Sequence, residues 1–285
     1  MRSVRGKIAV ITGAASGIGA ALASTMAAQG ARLMLADIDA AGLGSLGATL
    51  RLGGCDCHTW VTDTGNETAI YELAAQAEKR FGAVDILINN AGVTLVAPVD
   101  KLPTADAHWL MNINFWGVVH GCQAFLPLMR KSPDAVLVNI SSIFAMVSVP
   151  TQSIYNASKA AVRAFSDGLR EELRGSNVDV LCVHPGGIKT NIANNSRIVD
   201  VSMIADSAQE MRDNFSSLAR TTPQQAAAVI VHAIEHRKTR VLIGADAKIM
   251  DWFFRLFPAS ASHWISALGQ HLRAKSQAKK ALARS

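Results

Sequence analysis

Regular cysteine spacing, charge anywhere between residues 8 and 31 and acids near the carboxyl end are all missing from this 285-residue chain. Cys55, Cys57, Cys122 and Cys182 lack the close spacing of a disulfide framework, so a reducing, cytoplasmic setting is expected. Cys55, Cys57 and His58 also lack C-x-x-C spacing and a second half-site, which argues against a metal centre there. Residues 8–31 carry no charge and superficially resemble a signal peptide or membrane span, but Gly13, Gly17 and Gly19 interrupt them. The glycines divide the run into a strand at 7–12, a turn, and a helix from about 17 to 29. The sequence shows no second spanning candidate, no repeat and no long linker. The last stretch holds Arg273, Lys275, Lys279, Lys280 and Arg284 without an acid. Setting those five aside reduces the formal charge of +6 to +1 for residues 1–272, too little for a nucleic-acid surface.

What is present is a core-forming composition, 49% apolar, enough for one sizeable domain. Strand-like runs at 7–12, 31–36, 57–61, 84–88, 135–142, 178–183 and 240–243 alternate with helical patterns. That alternation implies right-handed crossovers and an α/β, doubly wound, seven-stranded parallel sheet of Rossmann-like type in a single domain.

The first turn carries Gly13, Ser16, Gly17, Ile18 and Gly19 between a strand and a helix. Glycines there let the backbone approach a pyrophosphate, and the helix amino terminus offers unpaired N–H groups with a favourable dipole. Asp37 ends the second strand, eighteen residues after Gly19. A carboxylate at that place accepts hydrogen bonds from ribose hydroxyls and repels an extra phosphate, so NAD is expected over NADP. Neither the glycine turn nor the position after Asp37 carries an arginine or lysine.

Tyr155 and Lys159 stand four residues apart, on one helical face. A phenol titrates near pH ~10, and a neighbouring ammonium is expected to lower that value and make it a usable base. Ser142 ends the 135–142 run, placing its hydroxyl where a substrate oxygen would meet the tyrosine.

The spacing of Ser142, Tyr155 and Lys159, together with G-x-x-x-G-x-G, resembles the short-chain dehydrogenase/reductase family over about residues 5–245. The resemblance implies an oxidoreductase that passes hydride between NAD and a hydrophobic secondary alcohol or ketone. It also implies several further roles. Asp63 would meet the adenine edge. Asn90, Ala91 and Gly92, in the N-N-A-G turn, would pass beneath the cofactor. Asn114 would support a water-mediated proton route from Lys159, with nearby Asn112 as a decoy. Pro185, Gly186, Ile188 and Thr190 would close over the nicotinamide and pyrophosphate. The Asn114 helix and the Tyr155 helix would pair with other copies, giving a homodimer or homotetramer.

Phe144 and Gly187 are expected to line a hydrophobic substrate pocket under a mobile lid at 191–221. His232, Glu235 and His236 fit H-x-x-E-H, but with no third ligand they read as helix surface, and no metal is expected. Residues 246–285 form an aromatic extension with a basic tail, expected to pack on a neighbouring subunit or across the substrate mouth. Weak contact with an anionic membrane surface is the alternative. Three other readings stay open. They are an NADPH-dependent 3-oxoacyl or carbonyl reductase, an epimerase or dehydratase with tightly held NAD, and a non-catalytic NAD-sensing or membrane-surface protein.

Overall fold

The computed structural model describes residues 3–264 and 267. In chain order the elements are β1 (Ile8–Thr12), α1 (Gly17–Ala28), β2 (Arg32–Asp37), α2 (Ala40–Leu52), β3 (Cys57–Val61), α3 (Glu67–Phe81) and β4 (Ile86–Asn89). There follow β5 (Leu95–Val96), α4 (Thr104–Met111), α5 (Gly117–Met129), β6 (Ala135–Ile140), α6 (Ser153–Glu172), β7 (Val178–Pro185) and β8 (Arg197–Ile198). The described chain then gives α7 (Ala208–Leu218), α8 (Pro223–Glu235), β9 (Arg240–Ile243) and α9 (Ala245–Leu256).

Seven strands form one parallel sheet in the order β3-β2-β1-β4-β6-β7-β9. Alternate residues serve opposite faces, as the period of two requires. Ala9 and Ile11 pack with Leu22 and Met26 of α1 and Ile230 of α8. Val10 and Leu87 pack with Leu73 of α3, Phe125 of α5 and Val162 of α6. The sheet is thus covered on both sides, and its strands are nearly continuous apolar runs. Strand order reverses between β1 and β4, which opens a crevice at the carboxyl ends of the strands.

Local signals set the helix starts. Asp39 accepts from Ala41 and Gly42 amides at the start of α2, and Asn66 accepts from Ala69 at the start of α3. Thr222, Pro223 and Gln225 build a capping box on α8. The helix that carries Asn114 is interrupted by one π turn at Asn112–Trp116, between α4 and α5. A two-residue sheet, β5 with β8, was not expected from the sequence and ties the 191–221 segment to the main body. Arg197 strengthens that tie by pairing with Asp106 at 2.7 Å and lying over the Trp109 ring at 3.6 Å.

Residue 245 is not a structural break. The helix α9 begins there and packs Ala247, Met250 and Phe254 against Ile143, Met146 and Val147. Arg240 joins the same wall, donating to Asp251 at 2.6 Å and to the Met146 sulfur at 3.0 Å. Ile265 and the basic residues from Arg273 onward lie outside the described residues.

Candidate active site

A chamber of about 700 Å³ occupies the crevice, running from the turn after β1 to α7 and α9. At one end Gly13 and Gly17 adopt φ of +63° and +54°, a region open to glycine at little cost. Close approach constrains them further. A Cβ on Gly13 would lie 2.8 Å from Ala91 Cα, and one on Gly19 would lie 2.0 Å from the Gly13 carbonyl. Gly19 therefore packs behind the turn and does not line the chamber, whereas Gly13, Ser16, Gly17 and Ile18 do. Ser16 caps α1 without a side-chain hydrogen bond, so the first N–H groups of α1 remain available to an anion.

Thr12, absent from the expected site, organises this end. Its hydroxyl accepts the amides of Asn90 and Ala91 at 3.0 and 3.1 Å, while Asn90 Nδ2 donates to the carbonyls of Thr12 and Gly13, both at 2.9 Å. Asn90 thus stitches two turns together. Asp37 accepts from the Ala15 and Asp39 amides at 2.8 and 3.0 Å, and Asp63 accepts from the Gly65 amide at 2.8 Å. Both carboxylates border the chamber. A narrow glycine cradle, a helix amino terminus and a carboxylate beyond β2 fit the pyrophosphate and ribose of a dinucleotide.

In the middle of the chamber stand Ser142, Tyr155 and Lys159. Ser142 follows β6 and caps a short turn, its Oγ accepting from Phe144 N at 3.1 Å. Phe144 meets the Tyr155 ring edge-on at a centroid distance of 6.3 Å. Lys159 Nζ lies 6.0 Å from the centre of that ring and donates to the Ile140 carbonyl at 3.1 Å. Ser141 Oγ holds the Lys159 carbonyl at 2.8 Å, which fixes α6 against β6. Just before α6, Thr151 adopts φ +65°, a strained conformation for a β-branched residue costing roughly 1–3 kcal/mol.

The charge balance differs from the one expected. Burial pushes the Tyr155 phenol up, with neighbouring Ser142 acting in the opposite direction. Lys159 is itself brought down from 10.5 to about 8 by burial, with Cys182 opposing. A buried ammonium that pairs with no carboxylate among the described residues loses more in hydration than it gains from the Ile140 carbonyl.

Asn114 sits fully buried in the π turn, behind the chamber wall. Its amide brackets Val93, accepting from Val93 N at 2.8 Å and donating to Val93 O at 2.9 Å, and also donates to Ser158 Oγ at 3.1 Å. Gly92 passes between Asn114 and Lys159, where a Cβ would sit 3.3 Å from both Asn114 Oδ1 and Lys159 Nζ. Asn112 faces outward and is exposed.

Pro185, Gly186, Gly187, Ile188 and Thr190 follow β7 along the chamber rim. Their arrangement depends on Asp246, a residue without any sequence signal. Asp246 Oδ2 accepts the Gly187 amide at 2.6 Å, and its carboxylate fills the space a Cβ would take on Gly186 or Gly244. His184, also unforeseen, is buried behind Ser142 with Nδ1 3.3 Å from the Ser142 carbonyl. Burial, aided by the charge of Arg240, lowers it to about 4, so it stays neutral at pH 7.

The far wall is apolar, with Phe144, Val149, Ile204, Met211, Phe215 and Met250 among its residues. His232 on α8 and His236 just after it lie exposed, their rings 3.8 Å apart. Among the described residues no three His, Cys, Asp or Glu side chains form a metal-binding group.

Sequence and structure comparisons agree with this architecture. The short chain dehydrogenase family model matches residues 7–199. The oxidoreductase SadH of Mycobacterium tuberculosis is 38% identical over 270 residues, spanning 94% of this chain and 96% of SadH. That span is too long for 246–285 to lie wholly outside it. Dehydrogenase/reductase SDR family member 7B of Bos taurus is 36% identical over 247 residues, 84% of this chain and 74% of its own. A crystal structure of a short chain dehydrogenase/reductase from Burkholderia phymatum in complex with NAD superposes with a TM-score of 0.81. It is 31% identical and covers 90% of this chain and 96% of that one. The chain belongs to the short-chain dehydrogenase/reductase family.

Proposed function

We propose that the protein is an NAD-dependent oxidoreductase acting on a hydrophobic secondary alcohol or the matching ketone. The observation that carries this reading is the meeting of Ser142, Tyr155 and Lys159 midway between a glycine cradle and an apolar wall, in one chamber. NAD, when bound, supplies the hydride acceptor for alcohol oxidation. Gly13, Ser16, Gly17, Ile18, Thr190 and Asp37 would hold its pyrophosphate and ribose, with Asp63 at the adenine side and Ile188 at the nicotinamide.

In the oxidation direction Tyr155 takes the hydroxyl proton of the substrate as its carbon loses hydride. Ser142 holds the substrate oxygen and opposes charge developing on it. Lys159 binds the adjacent ribose and supplies positive charge beside the phenol. Burial raises Tyr155 on its own, so the phenol depends on its neighbours to work as a base near neutral pH. Asn114 acts from behind, keeping Val93 and Ser158 in place beside Lys159.

Free thiols at Cys55, Cys57, Cys122 and Cys182 support a reducing, cytoplasmic setting. Exposed Trp116 and half-buried Phe115, in the π turn before α5, with Phe165 of α6 edge-on to Phe115, support assembly of copies through those helices. The 191–221 segment, with Met211 and Phe215 turned to the chamber, is the part we assign as the lid.

The test is NADH formation from a panel of secondary alcohols, with NADP run in parallel and with Asp37→Asn as the cofactor-selectivity variant. NAD turnover that exceeds NADP turnover, with the margin reduced in Asp37→Asn, supports the reading. Faster turnover with NADP would move it to the NADPH-dependent reductase class. Tight NAD binding without net NADH formation would favour the epimerase or sensing alternatives.

A further inference from the structure

Helix α9 has two apolar faces with different fates. Its inner face, Ala247, Met250 and Phe254, closes the substrate wall. Its outer face carries Ile249, Trp252 and Leu256 at helical spacing, continued by Phe257 and Trp264. These five side chains remain between 41% and 66% exposed. Phe253, Phe257 and Trp264 form one aromatic cluster, with ring centroids 5.2 to 5.5 Å apart. Asp251, the last acid of the sequence, is buried and paired with Arg240 and Arg255, so no negative charge faces outward from this helix after Asp246.

From Trp252 to the end the chain contains Arg255, Arg273, Lys275, Lys279, Lys280 and Arg284 and no acid. An aromatic helical face followed in sequence by a polybasic, acid-free segment combines the two attractions that hold a protein on an anionic bilayer. No helix among the described residues is long and apolar enough to cross a membrane. We propose that the outer face of α9, with the basic segment that follows it, docks on the surface of an anionic lipid membrane. A second copy of this chain is the poorer occupant. A second copy carries the same positive formal charge and the same acid-free carboxyl segment, and so offers this face nothing of opposite charge. The docking stands whether or not the enzyme oxidises alcohols.

The consequence for the enzyme, which does rest on the dehydrogenase reading, is placement. Met250 lines the chamber from the same helix, so docking brings the substrate wall to the lipid boundary and favours apolar alcohols dissolved in the membrane.

The experiment is sedimentation of the full-length protein with phosphatidylcholine vesicles, with and without phosphatidylglycerol, at low and high salt. Trp252→Ser/Leu256→Ser and Lys279→Glu/Lys280→Glu are run alongside, and light scattering follows oligomeric state. Co-sedimentation that needs phosphatidylglycerol and falls with salt is expected. Each basic residue near such a surface contributes roughly fivefold in partitioning, so the charge reversal should weaken binding more than about twentyfold. The Trp252→Ser/Leu256→Ser protein should weaken it about tenfold or more while keeping its thermal midpoint and its turnover of a water-soluble alcohol. Absence of native binding to phosphatidylglycerol vesicles at low salt would overturn the proposal. So would binding that both variants retain, or an assembly that falls apart in the Trp252→Ser/Leu256→Ser protein, which would identify the face as a contact between copies.

Discussion

At the nucleotide end of the chamber, the turns after β1 and β4 are locked by backbone amides, one threonine hydroxyl and glycines too close to their neighbours to carry a Cβ. The substrate end is assembled differently. Side chains from 143–149, from 191–221 and from α9 meet there after long excursions of the chain. The first construction also joins distant segments, Thr12 to Asn90 across 78 positions, but it is held by hydrogen bonds to backbone groups and is intolerant of added atoms. The second is long-range and held mostly by apolar packing, with Asp246 and the Arg240–Asp251 pair as its polar ties. One chamber therefore couples a fixed cofactor seat to a wall that can be remodelled for different substrates.

If that contrast is right, the largest effect comes from adding one carbon at the fixed end. Gly19→Ala, which drives a Cβ into the Gly13 carbonyl, should cost about 3 kcal/mol in urea unfolding and abolish NAD binding by fluorescence titration. A native midpoint in that variant would break the contrast.

The seam between the two ends gives the next prediction. Lys159 is lowered from 10.5 to about 8 by burial, so between pH 8 and 10.5 the unfolded chain binds the proton more readily than the native one. Native stability from this group then rises with pH across that window, and its full cost is present below pH 8. Lys159→Met should accordingly be inactive yet more stable than the native protein below pH 8, by about 2 kcal/mol, with the gain shrinking towards pH 10. A gain that grows with pH would reverse the sign of the account.

On the substrate side the effects are smaller. Asp246→Ala removes the acceptor for the Gly187 amide and should cost about 1.5 kcal/mol in transition-state stabilisation, while Asp246→Asn, which keeps an oxygen there, should recover most of it. Equal losses in both would assign Asp246 a charge role in place of a positioning one. Smallest of all, Met250→Ala should lower kcat/KM for bulky alcohols roughly tenfold with NAD affinity unchanged. A matching loss of NAD affinity would mean that the two ends are not separable.

The same contrast explains what could be read from the sequence. The strand at 57–61 and that at 240–243 coincide with β3 and β9, because short runs of strand-favouring residues bounded by turns are local signals. The glycine turn, Asp37 and the pair Tyr155 and Lys159 are likewise short motifs whose spacing fixes their relative placement. Asp246 was not legible, since its partner Gly187 lies 59 residues away and no pattern links them. Thr12 stood inside the glycine motif, but its role lies in the side-chain link to Asn90 and Ala91 across β4. The π turn around Asn114 escapes a reading based on a 3.6-residue period, and a two-residue strand such as β5 is too short to leave alternation. The raised phenol of Tyr155 depends on burial, which spacing alone does not reveal.

Single-turnover NADH formation from a hydrophobic secondary alcohol decides whether Tyr155 accepts the substrate proton, comparing the native enzyme with Tyr155→Phe, with NAD affinity measured on both. Native formation of NADH, slowed by about a thousandfold in Tyr155→Phe at unchanged NAD affinity, is the predicted result. Equal rates in the two proteins would contradict Tyr155 as the proton acceptor and, with it, the mechanism.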